Sequence, residues 1–85
     1  MKRLEMVVPW EEGLHARQAG KLVRVAYKFA STIQLRCGAR IANARSIISI
    51  LLLCATIGST VEIEVQGEDE EDAAEAIEGI FVSGE

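Results

Sequence analysis

The sole histidine of the chain, His15, lies in the segment Gly13-Leu14-His15-Ala16-Arg17-Gln18-Ala19. Imidazole is the side chain that offers a neutral nitrogen nucleophile around neutral pH. A glycine-containing turn ends just before it, and a helical pattern begins at Ala16. His15 is therefore expected at a helix N-terminus, where unpaired backbone N–H groups and the positive end of the macrodipole favour an anion. Arg17, two residues on, carries the planar fork of donors that suits phosphate oxygens. A histidine so placed could carry a phosphoryl group and have its charge met at once. A helix-cap histidine without chemistry satisfies the same local pattern, so the flanking residues have to decide.

Other chemistry is sparse. Ser46 precedes an apolar run, Ile47-Ile48-Ser49-Ile50-Leu51, and reads as the N-cap of a short helix. Cys37 and Cys54 show no C-x-x-C pairing, and with one histidine they complete no familiar metal-ligand spacing, so no metal site and no cofactor are expected. They read as small buried thiols in a reducing compartment. There is no glycine-rich nucleotide loop and no supported pair of carboxylates or Ser-His-Asp set. No constellation of a stand-alone catalyst is supported.

The elements that must hold His15 follow from periodicity. Leu4, Met6 and Val8 alternate with polar residues in a strand over about Lys2 to Val8, stopped by Pro9. Ala19, Leu22, Val23 and Ala26 form one apolar stripe of a helix over about Ala16 to Phe29, with Lys21, Arg24 and Lys28 on its solvent side. Ile33, Leu35 and Cys37 alternate in a second strand, Gly38 turns the chain, and Arg40 to Asn43 returns as a third. A short helix runs from Ile47 to about Leu53. It is too rich in isoleucine and leucine to bury every apolar side chain. Val61, Ile63 and Val65 alternate with Glu62, Glu64 and Gln66 in a fourth strand. Ala73, Ala76, Ile77, Ile80 and Phe81 form the stripe of a last helix, whose start is marked by the acidic run Glu68 to Asp72. The order β-α-β-β-α-β-α predicts an α+β fold: an open-faced β-sandwich, a four-stranded antiparallel sheet covered on one face by three helices. At 85 residues a single domain over residues 1–85 is expected.

Formal net charge is -4, which argues against nucleic-acid binding through a global basic field. Charge is nonetheless segregated. Residues 14–45 hold seven of the nine Lys and Arg and no acid, whereas residues 62–85 hold ten of the thirteen acids and no base. The basic half could face acidic protein partners, or be an ordinary solvated face. The apolar run at 50–55 is far too short for a membrane span. No secretory-signal pattern is visible, so a cytoplasmic, monomeric protein is expected.

The segment Gly13 to Ala19 resembles the motif G-[LI]-H-[AT]-R-P-A of the HPr family, the histidine-containing phosphocarriers of the phosphoenolpyruvate-dependent sugar phosphotransferase system. Asn43-Ala44-Arg45-Ser46-Ile47-Ile48 resembles the family's regulatory-serine motif, and the resemblance runs the full length, with Gly67-Glu68-Asp69-Glu70 in the corresponding place. It implies that His15 accepts a phosphoryl group on Nδ1 from phosphorylated enzyme I and passes it to sugar-specific acceptor domains. Arg17 and the backbone of Ala16, Arg17 and Gln18 would meet the phosphate. Ser46 would be the target of an HPr kinase/phosphorylase. Ile47, Ile48 and Leu51, flanked by Gly20, Lys21 and Arg24, would form the partner surface, with Ile48 and Leu51 exposed. Gln18 departs from the family pattern, which has proline there. That departure keeps a second reading open: a regulatory binding module controlled by Ser46 phosphorylation, with phosphotransfer at His15 secondary. A third is a small ligand-binding α/β domain with accidental motif similarity.

Overall fold

Alternating apolar residues in four short runs can bury one face of a sheet only if two amphipathic helices cover it. The computed structural model, which describes residues 1–83, has that arrangement. In chain order the elements are β1 (Lys2–Val7), α1 (Ala16–Lys28), β2 (Thr32–Cys37), β3 (Arg40–Asn43), α2 (Ile47–Leu51), β4 (Thr60–Gln66) and α3 (Glu70–Ser83). The sheet order is β1-β4-β2-β3, and every neighbouring pair is antiparallel.

Register places the apolar residues in rows. Leu4 opposes Ile63, Ile63 opposes Leu35, and Leu35 opposes Ala42. Because side chains alternate across a strand, the next row falls on the other face. There Glu5 opposes Glu62, Glu62 opposes Arg36, and Arg36 opposes Ile41. This second face is polar and open, with ion pairs Arg3–Glu64 at 3.4 Å and Arg36–Glu62 at 4.0 Å. Helix α3 packs against β1, β4 and α1, and α2 packs against α1 and β3. The core between helices and sheet includes Leu22, Leu35, Ile50, Ile63 and Ile77, all fully buried.

Element order, sheet and covered face are as the sequence predicts; the differences are local. β1 ends at Val7, although Val8 stays buried and pairs with the 58–59 turn: its N–H donates to Ser59 O and its carbonyl accepts from Gly58 N. Helix α1 ends at Lys28 rather than Phe29, and α2 ends at Leu51 rather than Leu53. Beyond Leu51 the chain tightens, with Leu53 N donating to Ile50 O and Cys54 N to Leu51 O, so i→i−3 bonds replace the helical ladder. On α1, Val23 is only half-buried and Gln18 takes a core position instead. On α3, Ala73, Ala74, Ile77 and Phe81 are buried, whereas Ala76 and Ile80 are half-buried. Both cysteines are free, as expected, but neither is buried: Cys37 is half-buried, and Cys54 is exposed with a left-handed backbone, φ 54°. Its thiol turns outward because the turn after α2 puts Leu53 and Ala55, its neighbours, into the core.

Candidate functional site

The loop between β1 and α1 is held at several points, so His15 sits on a fixed backbone. Gly13 N donates to Trp10 O at 2.9 Å, closing a turn, and Leu14 N donates to Ala55 O at 2.9 Å. Gly13 adopts φ 79°, and a Cβ there would collide with the Ala55 carbonyl oxygen. Only glycine combines that left-handed backbone with so close an approach. The Leu14 side chain and the Trp10 ring are buried, the latter against Phe81 of α3 with ring centroids 5.2 Å apart.

His15 follows as the N-cap of α1, with extended backbone (φ -112°, ψ -166°) and no side-chain bond to the helix amides. Its carbonyl receives the first helical bond, from Ala19 N at 2.8 Å. Among the described residues, nothing accepts from the amides of Ala16, Arg17 and Gln18. The imidazole is partly exposed, and its Nε2 lies 3.7 Å from Glu12 Oε1. Arg17 is exposed on the first turn, which holds no acid. The result is an accessible nucleophile above three unclaimed N–H donors, with a guanidinium within the same turn. Such a place welcomes a small tetrahedral anion without enclosing it.

Gln18 occupies the third position of the helix with its side chain 4% exposed. Its Oε1 is buried without a hydrogen-bond partner among the described residues, as is Trp10 Nε1. Sequence reasoning foresaw the first-turn location and the freed N–H of Gln18, but not the burial of its amide.

The second predicted segment is also organised. Ser46 caps α2, its Oγ accepting from Ser49 N at 3.2 Å. Ser49 Oγ in turn accepts from Asn43 N, and Asn43 Oδ1 from Arg45 N. The Arg45 guanidinium reaches back to α1, donating to Ala26 O at 3.2 Å and Phe29 O at 2.9 Å while lying over the Tyr27 ring. The turn after α2 is the one that holds Leu14 through Ala55, so the His15 loop is tied to the segment that follows the Ser46 helix.

On α2, Ile48 is 63% exposed and Ile47 39%. Leu51 is half-buried against the core, contrary to its expected exposure, because the helix points it toward the side that Ile50 fills. Leu52, 64% exposed, takes the outward place instead. Gly20 and Lys21 are half-buried and Arg24 is exposed on α1. A groove of about 380 Å³ lined by Arg3, Glu5, Arg36, Glu62 and Glu64 lies on the open sheet face, away from the His15 loop. Among the described residues no group of three or more His, Cys, Asp or Glu could hold a metal ion. No helix of the described residues is long and apolar enough to cross a membrane.

Comparison with known proteins settles the family. The model "PTS HPr component phosphorylation site" matches residues 2–83. The chain belongs to the HPr family of the phosphotransferase system, and its role is that of a phosphocarrier protein. It is 39% identical over 77 residues to phosphocarrier protein HPr of Xylella fastidiosa (strain 9a5c), covering 91% of this chain and 86% of that one. It is 42% identical over 73 residues to phosphocarrier protein NPr of Proteus mirabilis (strain HI4320), covering 85% and 81%. The crystal structure of HPr from Thermoanaerobacter tengcongensis superposes with a TM-score of 0.93 at 34% identity, over 99% of this chain and 94% of that one.

Proposed function

We propose that His15 is the phosphoryl acceptor, taking the group on Nδ1 from phosphorylated enzyme I and handing it to sugar-specific acceptor domains. The observation that carries this reading is the partly exposed imidazole at the N-cap of α1, beside the unclaimed amides of Ala16, Arg17 and Gln18. A carrier has to hold phosphate only modestly, because tight binding would slow onward transfer. An open helix N-terminus contributes about 0.3–2 kcal/mol toward an anion, which suits that need. Arg17 adds a mobile, bidentate contact. The exposed Ile47, Ile48 and Leu52, with Leu51 beneath them and Gly20, Lys21 and Arg24 alongside on α1, form the docking surface.

Incubation with phosphoenolpyruvate and enzyme I tests the reading. The expected product carries acid-labile label that is absent from His15→Ala. Acid-labile label in the mutant would overturn the assignment.

Ser46 phosphorylation by an HPr kinase/phosphorylase is the regulatory part of the proposal. Ser46 Oγ sits at the N-terminus of α2, where a dianion is electrostatically tolerated, and it borders the exposed Ile47 and Ile48. Acid-stable label on wild type, lost in Ser46→Ala, is the expected result with that kinase.

A further inference from the structure

We propose that Glu12 is a positioning residue that fixes the His15 ring with its Nε2–H toward the Glu12 carboxylate and Nδ1 as the bare nitrogen. This inference rests on the carrier reading of His15 and adds to it a chain-specific part. Glu12 Oε1 stands 3.7 Å from His15 Nε2. The two residues bracket Gly13 and Leu14, whose amides are tied to Trp10 O and Ala55 O, so the backbone holds Glu12 and His15 on the same side of one anchored turn while both side chains stay exposed. The ring's other nitrogen is not consumed: His15 caps α1 without any side-chain bond. The first turn of α1 has no acid to compete for the ring proton.

A neutral imidazole carries one proton, on either nitrogen. A carboxylate on the Nε2 side favours the proton there and leaves the lone pair on Nδ1. The transfer then balances without moving that proton. The Nδ1 lone pair forms the N–P bond while the donor's bond to phosphorus breaks and the donor keeps that electron pair. The ring becomes cationic with its proton still on Nε2, and the Glu12 carboxylate offsets the new charge. On departure of the phosphoryl group, the N–P electron pair returns to Nδ1 and the ring is again neutral with Nε2–H.

The test is long-range ¹H–¹⁵N correlation of the His15 ring at a pH where it is neutral, in wild type, Glu12→Ala and Glu11→Ala. Glu11 is the neighbouring exposed acid and controls for net charge. The ratio of Nε2–H to Nδ1–H tautomer should fall about two- to five-fold in Glu12→Ala, the range expected of an exposed charge contact, and stay unchanged in Glu11→Ala. Phosphoryl transfer from enzyme I should lose kcat rather than gain KM in Glu12→Ala. An unchanged ratio in Glu12→Ala, an equal fall in both variants, or a shifted ratio with unchanged kcat would each overturn the proposal. Failure of the carrier reading is seen separately, as wild type that takes no acid-labile label.

Discussion

At the scale of single residues, the site depends on a backbone that most side chains would break. Gly13 combines φ 79° with a position where an added Cβ would collide with the Ala55 carbonyl oxygen. Gly13→Ala should therefore cost at least about 2 kcal/mol, from left-handed strain plus the displaced Leu14–Ala55 bond. Chemical denaturation would read that loss, and phosphoryl acceptance should fall with it because His15 follows directly. Gln18 works in the opposite sense. Its N–H is unclaimed, so proline loses no helical bond there, and its Oε1 is buried without a partner. Gln18→Pro should stabilise the fold by about 1 kcal/mol, by stiffening the unfolded chain and removing an unsatisfied acceptor. A lower denaturation midpoint in the variant would mean that the Gln18 side chain contributes more to the fold than the stiffer backbone returns. The position of Gln18 was legible from the cap pattern. Its burial was not, because a polar residue on the first turn gives no apolar periodic signal.

At the scale of elements, the proposed docking surface depends on how α2 is held, and a five-residue helix cannot hold itself. Two devices do so. Ser46 caps its N-terminus, and Arg45 binds the preceding loop to the end of α1 through Ala26 O and Phe29 O. Cationic donors at a helix C-terminus also suit its dipole. Arg45→Ala should destabilise by about 1–2 kcal/mol, since charged hydrogen bonds and the stacking on Tyr27 go together. It should also speed amide exchange across α2, whereas Arg36→Ala on the open sheet face should do neither. Ser46→Asp should keep the cap, so its helical circular dichroism should match wild type. The new charge borders Ile47 and Ile48, where apolar area must be desolvated on docking, so calorimetric affinity for enzyme I should fall. The Ser46 cap was legible in the sequence because serine before an apolar run is a local signal. The reach of Arg45 was not: it spans 19 positions to Ala26, and only the packed α1–α2 pair brings them together. The same limit explains Leu51 and Leu52. Composition shows that part of α2 must be exposed, but the rotation of so short a helix is set by Ile50 in the core.

At the scale of the whole molecule, the alternation of three strands, the hairpin turn at Gly38 and the stripes of two helices were enough to predict the layers, because burial of one face leaves few arrangements. What closes the layers at the α3 end is polar and long-range. Asp69 accepts from Ala30 N at 2.8 Å, from Ser31 N at 2.9 Å and from the buried Ser31 hydroxyl, tying the start of α3 to the α1–β2 turn. Glu70 accepts from Gly67 N and meets the Met1 amine at 2.8 Å, tying the same helix start to β1. The acidic run was read as a complement to the helix dipole; that role holds for the first turn of α3, and these two carboxylates also act as fasteners. The Ser31 hydroxyl, and then the Ala30 amide, hold the Asp69 carboxyl below the usual carboxylate range, and the Met1 amine, followed by the Gly67 amide, does so for Glu70. A folded-state pKa lower than the unfolded one means that the unfolded chain binds the proton more readily. Stability from these groups is therefore complete above the ordinary carboxylate range and is lost as the pH falls through their depressed values. Acid titration followed by circular dichroism should show the wild-type fold weakening in that window. Asp69→Asn should be less stable than wild type at neutral pH, because its amide nitrogen cannot accept where a carboxylate oxygen did. It should also show a shallower loss on acidification, since the titrating group is gone. Parallel acid curves for the two proteins would show that Asp69 is not among the groups that make the fold acid-sensitive.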